Sequence, residues 1–194
     1  MNRMARALLS LPIAVALLLA PTAAGASDDN IVVATNETDG SAVSSASVQY
    51  RIVPNGVVDE QNLAYAAARC TDCQTLATAF QLVLVTREFR TFVPKNEAFA
   101  ANVECESCLT WATAKQIIVV TDGPAALTGN GHIRMRALED RLLALQADLP
   151  ALTLEDLLVE LDGAFQELLD IAGTEIMTPA GGPIASEVAA THSS

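Results

Sequence analysis

The chain has 194 residues, of which 11 are Lys or Arg and 23 are Asp or Glu, so its formal net charge is −12. Apolar residues make up 51% of the chain, whereas aromatic residues make up only 4%. This length allows one ordinary domain or two small ones. The acidic balance and the lack of a basic cluster argue against a nucleic-acid binder, because such proteins neutralise phosphates with Lys and Arg.

The first segment has the pattern of a secretory signal peptide. Arg3 and Arg6 form a positive start, and an apolar run follows from Ala7 to Ala20. Residues 24–26 (Ala-Gly-Ala) resemble an A-x-A cleavage site. The apolar run is shorter than the roughly 20 residues that a membrane-spanning helix requires. We therefore expect residues 1–26 to be removed and the mature chain to be secreted, with no transmembrane segment.

Residues 27–57 predict a small β and loop element. Val48–Val53 alternates apolar with polar side chains, which favours a half-buried strand, and Ile31–Ala34 fits a shorter one. Asp39-Gly40 is a turn signal between these two strands. We expect a small N-terminal β-hairpin over residues 31–53.

An internal repeat occupies the middle of the chain. Residues 70–86 align with residues 105–121 at an offset of 35, and more than half of the aligned positions are identical. The preceding residues 62–67 align with residues 96–101 at an offset of 34. Such self-similarity implies two copies of one supersecondary unit, stacked to bury a face that neither copy buries alone.

Both copies, over residues 58–121, are predicted to be helical. The Ala-rich stretch before the first cysteine of each copy favours helix, and residues 76–84 carry apolar side chains at helical spacing. Leu82–Val85 and Ile117–Val120 are apolar on all sides, so they also fit buried strands. Periodicity alone does not decide between the two, and we favour helix because the preceding glutamines continue the helical pattern.

Residues 132–173 predict an acidic αα-hairpin. Apolar residues recur at steps of 3 and 4 from Met135 to Leu149, and a second stripe runs from Leu154 to Ala172. Thr153 offers a capping hydroxyl to the second helix, with Asp156 three residues later.

The tail from residue 174 to 194 consists mostly of small and polar residues and is predicted to be disordered. The predicted fold is a single, mainly α domain over residues 27–173. It comprises a duplicated CxxC helical repeat and a C-terminal αα-hairpin, with the small N-terminal β-hairpin.

The candidate site consists of two CxxC motifs, formed by Cys70, Cys73, Cys105 and Cys108. An exported chain with an even number of cysteines usually pairs them as disulfides. In a regular helix the two cysteines of one motif hold their Cβ atoms ~5–6 Å apart, whereas a disulfide needs ~3.5–4.5 Å. A bridge between the motifs also closes a longer loop and therefore stabilises more. These arguments favour cross-links between the copies, although all three connectivities stay open.

Two alternatives use the same four cysteines. Together they supply the ligands of a tetrahedral zinc site, although the 31 residues between the motifs exceed the usual ~15–20. A redox-active CxxC needs a lowered thiol pKa. Asp72, Glu104 and Glu106 lie in or beside the motifs, and negative neighbours raise a thiol pKa. Local charge therefore opposes the redox alternative.

No metalloprotease, hydrolase or nucleotide-binding motif is present in the sequence, so no catalytic residue and no cofactor are predicted. Residues 70–75 (Cys-Thr-Asp-Cys-Gln-Thr), followed by Ala-Phe-Gln-Leu-Val-Leu-Val, resemble a family of exported actinobacterial proteins of unknown function. The resemblance extends over the second CxxC block and the acidic hairpin. Some members carry an automatic name containing the words peptide zinc metalloprotease protein, but this chain has no zinc-ligating histidine pair beside a catalytic Glu.

The sequence therefore predicts a secreted, non-catalytic binding or structural protein held by disulfides. The alternatives are a four-cysteine zinc protein, a CxxC redox protein, or a component associated with a peptide zinc metalloprotease system. The expected partner is an unidentified protein or a second copy of the chain, bound through the helical hairpin.

Overall fold

The computed structural model describes residues 29–54, 56–178 and 186–193, so the predicted signal peptide (residues 1–26) lies outside the described residues. The first two thirds of the described chain are strands: β1 (Asn30–Asn36), β2 (Ala42–Val53), β3 (Gly56–Val58), β4 (Gln61–Ala68), β5 (Gln74–Thr86), β6 (Phe89–Phe92), β7 (Lys95–Asn102), β8 (Leu109–Thr121) and β9 (Ala126–Leu127). The remaining elements are α1 (Gly129–Asp148), a 3₁₀ turn (Leu149–Ala151), α2 (Leu154–Thr174), β10 (Ile176–Met177) and β11 (Ser186–Ser193).

Strands β1 to β8 wind through three stacked coils of a parallel β-solenoid. β1, β4 and β7 pair in parallel as one sheet, which we call sheet A. β2, β5 and β8 pair in parallel as sheet B, and β11 adds to the β8 edge in the antiparallel direction. The short strands β3 and β6 pair in parallel as well. Each coil therefore lays its strands directly beside the equivalent strands of the next coil.

The offsets of the sequence repeat coincide with the registers of the two sheets. Gln74 pairs with Leu109 in sheet B, which is the offset of 35. Asn62 pairs with Asn96 in sheet A, which is the offset of 34. The repeat has a third copy, formed by β1, β2 and β3, whose strands β1 and β2 pair with the second coil at an offset of 32. Sequence comparison missed this copy because it lacks the cysteines.

The prediction of a mainly α fold is wrong, because the structure is about 50% strand and only about 30% helix. Alanines from both sheets meet inside the solenoid, namely Ala64, Ala66, Ala77, Ala79, Ala112 and Ala114. These alanines are at most 3% exposed, so a larger side chain at any of them would have to displace its neighbours. Packing therefore selects alanine here, and it overrides the helix propensity on which the prediction relied.

The apolar runs Leu82–Val85 and Ile117–Val120 are strands within β5 and β8. They are apolar throughout because one face of sheet B lines the solenoid interior and the other face packs against the helices. The predicted N-terminal hairpin over residues 31–53 is also wrong. Both of its strands form, but β1 pairs with β4 and β2 pairs with β5, so neither pairs with the other.

Two ladders of side-chain amides tie the coils together. In sheet A, the Asn30 amide donates to Asn62 at 2.8 Å and the Asn62 amide donates to Asn96 at 2.7 Å. In sheet B, a second ladder joins Gln49, Gln81 and Gln116 through two hydrogen bonds of 2.7 Å each. A buried amide requires partners for its donors and acceptor, and the stacked coils supply them.

The helical hairpin packs on the outer face of sheet B. Thr153 and Asp156 form the predicted capping box at the start of α2. The apolar stripes of both helices are buried against sheet B, with α1 mainly on β2 and α2 on β5 and β8. The buried residues include Leu138, Leu142, Leu157, Leu161 and Leu168. No helix in the described part of the chain has the length and apolar character needed to cross a membrane.

The C-terminal segment, predicted to be disordered over residues 174–194, contributes β10, which pairs with β9, and β11, which pairs with β8. The rest of that segment, residues 179–185 and 194, lies outside the described residues.

Candidate functional site

The four cysteines lie together at one corner of the solenoid, where the chain passes from sheet A to sheet B. One CxxC motif lies in the link between β4 and β5, and the other lies in the link between β7 and β8. The in-register pairing of these strands stacks the two links, and Thr71 forms a parallel bridge with Glu106 between them. All four Sγ atoms lie within 4.8 Å of one another. We call this cluster of Cys70, Cys73, Cys105 and Cys108 the sulfur corner.

Each motif closes its own disulfide. Cys70 bonds to Cys73 and Cys105 bonds to Cys108, and the Cα atoms of each pair are 6.0 Å apart. The sequence argument against pairing within a motif assumed helical geometry, and neither motif is helical. Among the described residues, the three non-glycine residues with positive φ all lie here: Asp72 (51°), Glu104 (50°) and Ser107 (56°). Left-handed residues turn the chain sharply enough to bring each pair of cysteines together.

Contacts between the coils hold the sulfur corner tightly. Cys73 Sγ lies 3.3 Å from Cys108 Sγ, and Cys108 Sγ lies 3.0 Å from the Cys70 carbonyl oxygen. Cys70 and Cys73 are buried, with exposed fractions of 5% and 0%. Cys105 and Cys108 are half-buried. The first coil thus covers one disulfide, while the other lies nearer the surface.

The first coil replaces sulfur with hydroxyl groups. Its 32-residue register to the second coil places Thr38 beside Cys70 and Ser41 beside Cys73. The Ser41 hydroxyl lies 2.7 Å from the Thr38 carbonyl oxygen and 2.8 Å from Asn36 Oδ1. Asn36 also donates to the carbonyl oxygens of Ser41 and Gln74. A hydrogen-bonded turn in the first coil therefore occupies the position that the disulfides occupy in the next two.

The charged side chains at the sulfur corner are mostly acidic and exposed. Asp72 and Glu106 lie within the two motifs, and both are exposed. Arg69 forms an ion pair of 2.8 Å with Glu104 of the next coil. This arrangement supplies negative charge around the sulfurs, which opposes a reactive thiolate.

Perturbed ionisable groups lie away from the sulfur corner, and sequence reasoning did not single them out. Glu60 is buried just before β4, at the opposite end of that strand from Cys70, and burial raises the pKa of its carboxyl group. Lys115 lies 5.0 Å from the centre of the Phe165 ring, and burial lowers the pKa of its amine. Both residues lie against well-packed parts of the fold, so their environment accounts for these shifts.

The outer face of sheet A carries a row of exposed apolar side chains that sequence reasoning also missed. Val33, Tyr65 and Phe99 align across the three strands and are 53%, 38% and 53% exposed. Ile31, in the adjacent position of β1, is 50% exposed. We call Ile31, Val33, Tyr65 and Phe99 the apolar row. Its signal in the sequence was the pairing of Tyr65 with Phe99 in the repeat, which had been interpreted as part of a helix.

Comparisons with protein-family models, with curated proteins and with solved structures gave no match to this chain.

Proposed function

We propose that the mature chain is an exported, non-catalytic structural protein that assembles with copies of itself through the apolar row. The observation that carries this proposal is the in-register exposure of large apolar side chains on the outer face of sheet A. Exposed contiguous apolar surface on a soluble protein typically marks an interaction site. The resemblance to exported proteins, the pattern of residues 1–26 and the closed disulfides support the extracytoplasmic part.

The interior of the solenoid supports a non-catalytic function. Alanines and amide ladders fill the space between the sheets. At the sulfur corner, Cys70 and Cys73 are buried in a disulfide, and the surrounding charge is mostly acidic. A redox-active motif needs an accessible thiolate that is stabilised by positive charge. The arrangement therefore supports the proposal that the sulfurs stabilise the fold and that recognition uses the outer surface.

Charge makes the outer face of sheet A the surface on which a second copy of the chain can approach most closely. Without residues 1–26 the chain keeps 9 Lys or Arg and 23 Asp or Glu, a net charge of −14, so copies repel one another over most of their surface. The outward positions of β1 and β4 carry no charged side chain, and those of β7 carry Lys95 and Glu97, whose opposite charges cancel. Repulsion between approaching copies is therefore low on this face. The apolar stripes of the helical hairpin, expected to be the self-association surface, are already buried on sheet B.

Sedimentation velocity over a range of concentrations tests the assembly. We expect the chain without residues 1–26, which retains every described residue, to associate as its concentration rises. Tyr65→Ser combined with Phe99→Ser removes the aromatic part of the apolar row, so the association is expected to disappear while circular dichroism shows an unchanged fold.

The matched control changes equally exposed apolar residues on the hairpin. Ile133 and Val159 are 61% and 66% exposed, and replacing both with Ser is expected to leave association unchanged. A wild-type chain that stays monomeric at every concentration would contradict the proposal. Association that is lost only in the hairpin variant would assign the contact to the helices instead.

Export is tested separately on protein recovered from cells that produce the full chain. We expect extracytoplasmic protein whose N-terminal residue is Ser27. Retention in the cytoplasm with residues 1–26 intact would contradict the exported part of the proposal.

A further inference from the structure

We infer that the sulfur corner binds one Zn²⁺ ion through all four cysteines when its two disulfides are reduced. The inference does not depend on self-assembly. Its basis is the stacking of two CxxC turns, which brings four Sγ atoms within 4.8 Å of one another. Pairs of cysteines at this spacing are common zinc ligands.

The separations between the sulfur atoms suit tetrahedral coordination. Zinc–sulfur bonds of ~2.3 Å place the four sulfurs of a tetrahedral site about 3.8 Å from one another. Across the two coils, Cys73 Sγ and Cys108 Sγ already lie 3.3 Å apart. Within each motif, the Cα atoms are 6.0 Å apart. Once the disulfides open, rotation of the side chains can spread the sulfurs around one ion without rearranging the backbone.

The solenoid explains the long separation between the two CxxC motifs, which in the sequence argued against a zinc site. The motifs are separated by 31 residues because one complete coil lies between them. The parallel register returns the chain to the same corner, so the spacing equals one turn of the solenoid. Four thiolates already outweigh the two positive charges of the ion, so the site needs no further acidic group. Burial of Cys70 and Cys73 keeps water from their bonds to the ion.

A dithiol can supply the electrons that open the two disulfides. Each protein disulfide gains two electrons and two protons, and each dithiol leaves as its own disulfide. The four thiols then lose four protons as four sulfur–zinc bonds form. Zinc binding is therefore expected to weaken as the pH falls, because protons compete for the thiolates.

The test uses the chain without residues 1–26, reduced under nitrogen with a phosphine. The phosphine takes oxygen from water as each disulfide accepts two protons. Titration with Co²⁺, followed by displacement with Zn²⁺, reports both coordination and stoichiometry. We expect one equivalent of Co²⁺, with the intense visible absorption of a tetrahedral sulfur site, and its loss when one equivalent of Zn²⁺ is added.

Two controls separate the sulfur corner from adventitious acidic sites. The oxidised chain, and the reduced chain with alkylated cysteines, are expected to bind no Co²⁺ with this spectrum. Cys105→Ser combined with Cys108→Ser leaves only the buried pair, so four-sulfur coordination is expected to be lost while circular dichroism still reports the sheets. The inference is overturned if the reduced chain retains no metal or binds two ions per chain. Binding that persists in the double variant would also overturn it.

Discussion

The chain has two interiors, and they place different requirements on the side chains that fill them. The space between sheets A and B is filled by alanines and by hydrogen-bonded amides such as Asn62 and Gln81. The space between sheet B and the helices is filled by large side chains such as Phe80 and Leu157. In the first interior, each residue must match its neighbours in the adjacent coils. In the second, the side chains mainly need to fill volume. Substitutions should therefore have different consequences on the two faces of the same sheet.

The largest loss is expected from breaking the asparagine ladder. Asn62 is fully buried, accepts from Asn30, and donates to Asn96 and to the Ala79 carbonyl oxygen. Asn62→Ala leaves several buried polar groups without partners, so we expect the free energy of unfolding to fall by about 4 kcal/mol. Urea denaturation measures this change. Asn102→Ala, at an exposed position in the same sheet, is the control and should cost less than about 1 kcal/mol.

A large but smaller loss is expected from emptying the hairpin interface. Leu157 is fully buried between α2 and sheet B, so Leu157→Ala should cost about 3 kcal/mol through lost burial and the cavity it leaves. Its neighbour Leu158 is 40% exposed, and Leu158→Ala should cost well under half as much. Equal losses in thermal unfolding experiments would contradict the described orientation of α2.

A larger side chain inside the solenoid tests how tightly the space between the two sheets is filled. Ala79 is fully buried between the sheets, so Ala79→Val should destabilise the fold by about 2 kcal/mol through overpacking. Ala100 is exposed on β7, and valine there should be neutral or slightly stabilising because β-branched residues suit strands. A stabilising Ala79→Val would show that the sheets have room between them.

The smallest effect is expected at the cap of α2. Thr153→Ala removes the hydroxyl that accepts from the Asp156 amide and should cost about 1 kcal/mol. Hydrogen bonds from Thr153 lower the pKa of Asp156 below that of an unfolded aspartate. The stabilisation by this carboxylate is therefore present above the unfolded pKa and is lost as the pH falls through the folded one. The difference in melting temperature between wild type and variant should shrink in acid.

The same contrast explains what the sequence could predict. The hairpin was predictable because its signals are local: the capping pair at Thr153 and Asp156, and stripes of leucine at helical spacing. The solenoid depends on partners more than 30 residues away, such as Asn62 for Asn30 and Leu109 for Gln74. The repeat contained the register of the second of these pairs but not of the first. Alanine-rich segments also have the same composition in a helix and in a tightly packed pair of sheets.

The candidate site was predicted in part. The sequence identified the four cysteines and favoured disulfides, but a helical interpretation of the motifs favoured bridges between the copies. The left-handed conformation of Asp72 and Ser107, which closes each motif on itself, has no clear signal in residues of this type. The apolar row was missed because Tyr65 and Phe99 become neighbours only when the coils stack.

The most direct test of the separately closed CxxC turns is a tryptic map of the unreduced chain, digested after any free thiols have been alkylated. Cleavage after Arg69, Arg87, Lys95 and Lys115 puts each motif on its own peptide, residues 70–87 and 96–115. The structure predicts two separate peptides, each lighter by two hydrogens than its reduced form. A single species that joins the two peptides, or alkylated cysteines in either one, would contradict it.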